Sequence, residues 1–205
     1  AAAETATTIS ISPPEPTNVA DLRDWLGAAQ RPMVVFGPSL NATRQPGLAG
    51  KLELATGAPV VVMESPRGLN DPSLGAVAQV FAEADRVLLL GKPLDFTLQF
   101  GVAAPKAGWA VVHADPEELS RARRNCAERL TRSVKADPVD VARGLAFGSA
   151  SESKGDWLEK VRAACTRRSE AGAGGALTSN ALCTAVHALL QDPPNPVLVC
   201  DGGEF

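Results

Sequence analysis

The sequence contains no tyrosine and only two histidines among its 205 residues. His113 and His187 lie far apart and lack the spacing of metal ligands. No apolar run approaches the ~20 residues that a membrane-spanning helix needs. Residues Ala1 to Thr8 are small and polar and lack a basic start, so we do not expect a signal peptide. The sequence therefore predicts neither a metal site nor a membrane partner.

The cysteines and the distribution of charged residues also indicate no metal, redox or nucleic-acid-binding site. The four cysteines are widely spaced and form no CxxC pair, which argues against a metal or redox motif: Cys126, Cys165, Cys183 and Cys200. We interpret them as reduced thiols and expect a cytoplasmic protein. The net charge is -3, from 20 basic and 23 acidic residues that are mixed along the chain. Because a nucleic-acid-binding surface needs a basic face, nucleic acid is not expected as a partner.

Recognisable catalytic motifs are also missing from the sequence. It has no GxGxxG, no P-loop and no GxSxG, and no pair of carboxylates stands out as an acid–base site. We therefore predict no catalytic residue and no metal ligand in this chain.

What the sequence does contain is a repeated alternation of a short apolar run, a turn and an amphipathic stretch. The apolar runs lie at residues 33–36, 60–63, 87–90 and 109–112, with a weaker fifth at 130–134. They are apolar on both faces, as strands buried in a parallel sheet must be. Helical patterns accompany them at about 19–29, 48–55, 77–81 and 138–145. This alternation predicts an α/β fold, with a doubly wound, Rossmann-like parallel sheet and helices on both faces.

The pattern changes after Phe147. We assign residues 1-150 to the α/β domain, 151-175 to a linker with a charged helix, and 176-205 to the start of a second α/β domain. In this last part, Thr178 or Ser179 would cap a helix, and Val197–Cys200 is predicted to be a new buried strand. Because that strand would lack neighbours, we expect residues 151–205 to pack poorly.

Loops that follow the carboxyl ends of parallel strands are where α/β folds bind ligands. In the first domain these loops contain Gly37, Pro38, Ser39, Leu40, Arg67, Gly91, Lys92, Asp115 and Asp137. Several have plainer alternatives. The loop after the first strand can be an ordinary tight turn. Arg67 either pairs with a phosphate or forms a salt bridge to Glu64 or Asp71. Asp115 either holds ribose hydroxyls or caps the helix that begins at Pro116.

Four segments, in this order, resemble the central domain of thiamine-diphosphate-dependent enzymes, with acetolactate synthase and its relatives the nearest in pattern: Arg31–Gly37, Leu54–Val61, Ala84–Gly91 and His113–Pro116. The tail Val197–Phe205 resembles the first strand and loop of the diphosphate-binding domain that follows in such enzymes. The resemblance implies that residues 1-150 form a nucleotide-binding-type central domain. It also implies that residues 176-205 begin a truncated diphosphate-binding domain.

The resemblance further implies a parent enzyme that decarboxylates or ligates 2-oxo acids with thiamine diphosphate and Mg²⁺. Its pyrimidine- and diphosphate-binding domains would be the partners of this chain, the parent would be a homodimer or tetramer, and the fragment would be inactive alone. Gly202 and Gly203 would let the backbone approach the cofactor closely, and Glu204 would face the active site. The alternative is that Glu204 carries no role.

In some relatives the central domain binds FAD or ADP, and in others it binds nothing. Those that bind FAD usually carry an arginine a few residues after the equivalent of Gly91, and Gly91–Leu98 contains none. The resemblance therefore favours ADP or an empty site over FAD. Two other hypotheses stay open at this point. One is a stand-alone nucleotide-binding module for ADP, FAD or NAD, and the other is a purely structural spacer.

Overall fold

The computed structural model describes residues 16–148, 154–167, 179–191 and 196–199. They belong to two compact units, which divide between Arg167 and Arg168. The strands of the first unit are β1 (Pro32–Phe36), β2 (Val60–Val62), β3 (Arg86–Leu90), β4 (Gly108–His113) and β5 (Leu130–Lys135). Its helices are α1 (Pro16–Gly27), α2 (Leu48–Thr56), α3 (Val77–Phe81), α4 (Pro116–Cys126), α5 (Pro138–Ala146) and α6 (Gly155–Thr166). In the second unit, α7 spans Ser179–Leu189.

The five strands form one sheet in the order β2-β1-β3-β4-β5, and every neighbouring pair is parallel. The predicted doubly wound α/β sheet is confirmed, and the predicted strands agree with the observed ones to within a residue at each end. The chain moves outward from β1 to β2 and then returns to the other side of β1 for β3. The direction of strand order therefore reverses between β1 and β3, which is the topological switch point of this fold.

Apolar side chains on both faces of the sheet create two cores. Val34 and Phe36 of β1 face the core formed with α1, α2 and α5. Met33 and Val35 face the core formed with α3, α4 and α6. All four side chains are fully buried. Successive residues of a strand point to opposite faces, so a strand that is apolar at every position can be satisfied only between two helical layers.

Aspartate followed by proline begins two of the helices. The Asp115 carboxylate accepts a hydrogen bond from the Glu117 amide (2.8 Å), and the Asp137 carboxylate accepts one from the Val139 amide (2.7 Å). Proline follows each aspartate in the first turn, where its fixed φ suits the helix and its missing N–H is not needed. The predicted alternative for Asp115, a helix cap, is thus what the structure shows.

The connection from β3 to β4 contains a 3-10 segment, Phe96–Gly101, in place of an α-helix. Gln99 (φ 50°) and Phe100 (φ 52°) adopt left-handed backbone conformations that side chains disfavour. Hydrogen bonds from the Arg129 side chain to the carbonyls of Gly101 and Ala104, both 3.0 Å, hold this segment in place. The sequence patterns that predicted the helices gave no signal for this irregular crossover.

The two edges of the sheet are protected in different ways. At the β2 edge, a Glu53 carboxylate oxygen accepts the Val60 amide (2.9 Å), and its other oxygen accepts from Arg162 of α6 (3.1 Å). At the β5 edge, the register shifts between Trp109 and Ala110, and Arg132 forms an ion pair with Asp21 of α1. That pair holds the pKa of Asp21 below its usual value. Bulges and charged side chains of this kind discourage edge-to-edge association.

Helix α6 packs firmly on the first unit, so the expectation that residues 151–205 pack poorly is wrong for this part. Trp157, Val161 and Ala164 are buried in the core with α3 and α4. The Trp157 indole donates a hydrogen bond to the Pro32 carbonyl (2.7 Å), and the Ala76 amide donates to the Ala164 carbonyl (2.8 Å). The predicted linker and helix therefore contain a structural part of the first unit, which extends to Arg167.

In the second unit, the predicted strand at Val197–Cys200 is not formed over its described residues. Residues 196–199 have no regular secondary structure, and Val197 and Val199 are 83% and 87% exposed. A strand gains stability only from backbone pairing with a neighbour, and these residues have none among the described segments. Cys200 lies outside the described residues, as do Gly202, Gly203 and Glu204. Among the helices described, none is both long and apolar enough to cross a membrane.

Replacing Trp157 with alanine should destabilise the first unit by about 3–5 kcal/mol, because the change leaves a cavity and an unpaired Pro32 carbonyl. Trp157→Phe should cost about 1 kcal/mol, since it removes mainly the hydrogen bond. The measurement is urea unfolding followed by circular dichroism. Glu159→Ala, on the exposed side of α6, is the control and should change the free energy of unfolding by less than about 0.5 kcal/mol. A loss below 1 kcal/mol for Trp157→Ala would show that α6 does not belong to this core.

Candidate functional site

The loops after β1 and β3 touch each other directly at the switch point. A methyl group added to Gly37 would lie 1.9 Å from the Gly91 carbonyl oxygen and 2.9 Å from the Lys92 amide nitrogen. The Gly37 amide donates to the Leu90 carbonyl (2.9 Å), and the Gly91 amide donates to the Val112 carbonyl (3.0 Å). No side chain fits at position 37. The backbones of Gly37 and Gly91 therefore form the surface of the carboxyl edge of the sheet at this point, and we call this surface the floor.

Residues from three loops meet around Gly91, which has a positive φ of 62°. A methyl group at this position would lie 2.9 Å from the Pro138 ring and 3.2 Å from the Ser39 hydroxyl. The structure thus brings together Gly37, Ser39, Gly91 and the Asp137–Pro138 turn. Leu40, by contrast, is 1% exposed and packs in the core with α1, α2 and α5, so its side chain contacts apolar neighbours. Pro38 is exposed in the short 3-10 turn Pro38–Leu40.

Among the charged candidates that the structure describes, Lys92 is the one with a buried side chain. It is 5% exposed, which is rare for lysine. No carboxylate of the described residues forms an ion pair with its ammonium group. Burial lowers the pKa of Lys92 from its usual value, and the charge of Asp95 offsets part of this effect. A buried cation that forms no ion pair is unfavourable, so Lys92 is a candidate for binding an anionic group at this edge.

Arg67 lies in the loop after β2 with its side chain exposed. The predicted alternative of a salt bridge to Glu64 or Asp71 is not formed. Glu64 instead accepts a hydrogen bond from the Asn41 side chain (3.0 Å), and Asp71 accepts one from the Ser73 amide (2.9 Å). The Arg67 guanidinium therefore has no ion pair within the described residues and is available to a phosphate or carboxylate.

Gly68 and Thr97 join the loops after β2 and β3 across the end of β1, a contact that sequence reasoning missed. A methyl group on Gly68 would lie 2.2 Å from the Thr97 carbonyl oxygen. Thr97 is 5% exposed, and its amide and hydroxyl both donate to the Asp95 carboxylate, at 3.0 and 2.5 Å. The glycine of the Pro66-Arg67-Gly68 turn was the available signal, since its φ of 56° is one that glycine favours.

The two aspartates of the site serve mainly as helix caps. Each uses one carboxylate oxygen on a backbone amide of its own helix. The Asp115 amide donates to Nδ1 of His113 (3.1 Å), so this imidazole carries its proton on Nε2 when neutral. No cluster of three or more His, Cys, Asp or Glu side chains within the described ranges could hold a metal ion. The arrangement offers two cationic side chains, Lys92 and Arg67, to an anion, and it shows no acid–base or nucleophilic set among the described residues.

No protein-family model matches the sequence. Among solved structures, the chain is similar in fold to the benzoylformate decarboxylase of Polynucleobacter necessarius, with a TM-score of 0.59 and 14% sequence identity. The match covers 97% of this chain and 38% of that chain. This chain therefore spans well under half the length of the structure that it resembles, and at this identity the likeness concerns the fold alone.

Lys92→Met should raise the stability of the first unit at neutral pH, because it removes a buried charge whose desolvation the more distant Asp95 offsets only in part. The Lys92 pKa is lower in the folded chain than its usual 10.5. The penalty is therefore complete below the folded-state pKa and disappears as the pH rises past about 10.5, where both states are neutral. Urea unfolding between pH 7 and pH 10 should show an advantage of the variant that shrinks with pH. Exposed Lys106→Met is the control, and a variant that is less stable at pH 7 would contradict this prediction.

Proposed function

We propose that this chain is the central domain of a thiamine-diphosphate-dependent enzyme that decarboxylates or ligates 2-oxo acids. The observation that carries the proposal is the fold similarity to benzoylformate decarboxylase over 97% of the chain. Benzoylformate is itself a 2-oxo acid, and the enzyme that decarboxylates it depends on thiamine diphosphate. The four ordered segments that resemble acetolactate synthase-like central domains support the same assignment independently of the fold.

In this proposal the thiamine diphosphate and Mg²⁺ are not held by the described residues. Those residues contain no cluster of carboxylates that could hold the metal ion. Thiamine diphosphate would be held by other parts of the parent enzyme and would supply the carbanion stabilisation that decarboxylation of a 2-oxo acid needs. The role of this chain is structural: a rigid α/β layer that other domains of the parent enzyme pack against, with a carboxyl edge free to bind a ligand.

A second function, binding of a nucleotide or another phosphate-bearing ligand, is favoured by one specific observation. Lys92 is buried and has no ion-pair partner in the described part of the chain, and it lies beside the switch point where α/β folds bind ligands. The Arg67 guanidinium, on the loop after β2, forms no ion pair with a described residue, and backbones rather than side chains line the floor at Gly37 and Gly91. We propose ADP ahead of FAD as the ligand. This function fits either the central domain of an enzyme or a stand-alone nucleotide-binding module.

The product of the complete reading frame that encodes this chain should release CO₂ from a 2-oxo acid when thiamine diphosphate and Mg²⁺ are present. The 205-residue chain alone should show no such turnover. It should also bind thiamine diphosphate more weakly than micromolar, which corresponds to less than about 8 kcal/mol of binding free energy. Turnover is measured by CO₂ release and binding by titration calorimetry. Benzoylformate and pyruvate are the first substrates to try.

Two results would contradict this assignment. One is a reading-frame product that neither binds thiamine diphosphate nor consumes any 2-oxo acid. The other is micromolar binding of thiamine diphosphate by the 205-residue chain, since the residues that we place in the scaffold would then include the cofactor site.

For the carboxyl edge, calorimetry with ADP and with inorganic pyrophosphate should detect binding that Lys92→Met weakens at least tenfold. The reason is that the substitution removes the buried positive charge but keeps a side chain of similar length. Lys106→Met makes the same charge change at an exposed position, and it should weaken binding by less than twofold. Equal effects of both substitutions would exclude a site at Lys92. A purified protein with flavin absorbance would overturn the preference for ADP over FAD.

A further inference from the structure

A cleft between α2 and α5 lies on the opposite face of the sheet from the β3–β4 crossover. It encloses about 430 Å³ and is lined by Gln45, Pro46, Leu48, Lys51, Arg143, Ala146 and Phe147. This volume falls within the range of small-molecule sites, about 300–1,000 Å³. None of its lining residues belongs to the carboxyl-edge site, so the cleft is a separate feature of the first unit.

The walls of the cleft are largely apolar. Pro46 and Leu48 lie on the α2 side, and Ala146 and Phe147 lie at the end of α5. The Phe147 side chain is 89% exposed, so it contributes little to the core although it is large and apolar. An aromatic ring left in solvent beside a concave apolar surface favours contact with the apolar body of a ligand.

The charged groups of the cleft are both cationic. Lys51 is exposed and has no ion pair within the described residues. Arg143 donates a hydrogen bond to the Gln45 side chain (3.0 Å), which fixes the position of its guanidinium at the cleft. Its only ion pair in the described ranges is with Asp140, at 4.0 Å, and both side chains are about half exposed. Such a pair contributes little, so most of the positive charge remains available to a ligand.

From these observations we infer that the α2–α5 cleft binds a small organic anion with an apolar body, of the class of aromatic carboxylates and sulfonates. The anionic group lies between Lys51 and Arg143, and the apolar body lies against Leu48 and Phe147. Arginine and lysine together accept a carboxylate or sulfonate with charge-assisted hydrogen bonds, and the apolar walls add binding energy by excluding water. The inference does not depend on the proposed function of the chain.

The test uses the 205-residue chain and the fluorescent probe 8-anilinonaphthalene-1-sulfonate, an aromatic anion of this class. The folded protein should enhance its fluorescence saturably. The double substitution Lys51→Gln/Arg143→Gln should weaken probe binding at least tenfold, and Phe147→Ser should weaken it several-fold. All three side chains are exposed, so these variants should unfold at the same temperature as the unchanged chain. 4-Phenylbutyrate should displace the probe.

Two matched controls locate the binding. Arg123→Gln/Arg124→Gln makes the same change of charge at another cleft, which is lined by residues of α4 and β5, and should alter probe binding less than twofold. Phe100→Ser removes an exposed aromatic ring elsewhere (51% exposed) and should have no effect. Equal weakening by both double substitutions would reduce the effect to general electrostatics and overturn the inference. Loss of signal with Phe100→Ser, or no fluorescence enhancement by the folded chain, would overturn it as well.

Discussion

Parallel pairing of β1, β3 and β4 forces both of their faces to be buried, because the crossover connections of a parallel sheet lie on its two sides. The alternating side chains of β1 therefore enter two separate cores, one with α1, α2 and α5 and the other with α3, α4 and α6. The second core requires α6, because α3 is only five residues long and the β3–β4 crossover has no α-helix. Trp157 covers a large part of the apolar sheet surface that α3 and the crossover leave open. Its indole also donates a hydrogen bond to the Pro32 carbonyl at the start of β1.

The contacts at the two edges of the sheet also reflect the need to satisfy every strand of the parallel sheet. The Glu53 carboxylate accepts a hydrogen bond from the Val60 amide at the outer edge of β2 and another from Arg162 of α6. A single carboxylate thus links α2, the edge strand and α6, which lies on the other face of the sheet. At the opposite edge, alternate residues of β5 are exposed, and the strand has one partner among the described elements. The bulge beside Trp109 and the ion pair between Arg132 and Asp21 make that edge a poor template for a further strand.

The strands of the first unit could be read from the sequence because burial on both faces leaves uninterrupted apolar runs such as Val87–Leu90. The caps at Asp115 and Asp137 were also accessible, since Asp-Pro is a local signal that needs no tertiary information. The segment Val197–Val199 shows the limit of this reasoning, because an apolar run forms a strand only when another strand pairs with it. The contact between Gly68 and Thr97 joins residues that are distant in sequence, and the glycine at position 68 indicates a turn but not which residue it contacts. The burial of Lys92 could not be predicted from the sequence either, because it depends on how neighbouring loops cover the end of β3.

The contact between Gly37 and Gly91 decides where a ligand can lie at the carboxyl edge. At a switch point the flanking loops usually separate to opposite faces and leave a crevice between them. Here the two backbones touch, so a ligand cannot enter between β1 and β3 and must lie above the glycines. Ser39 and Pro138 lie against Gly91, and the chain continues from Gly91 through Lys92 to Thr97, which contacts Gly68. The cationic candidates are Lys92 and the exposed Arg67, which precedes Gly68, so the anionic part of a ligand would be drawn toward them. The buried Lys92 ammonium group and the exposed Arg67 guanidinium thus favour an anion at this edge, although neither lies in a recognisable phosphate-binding motif.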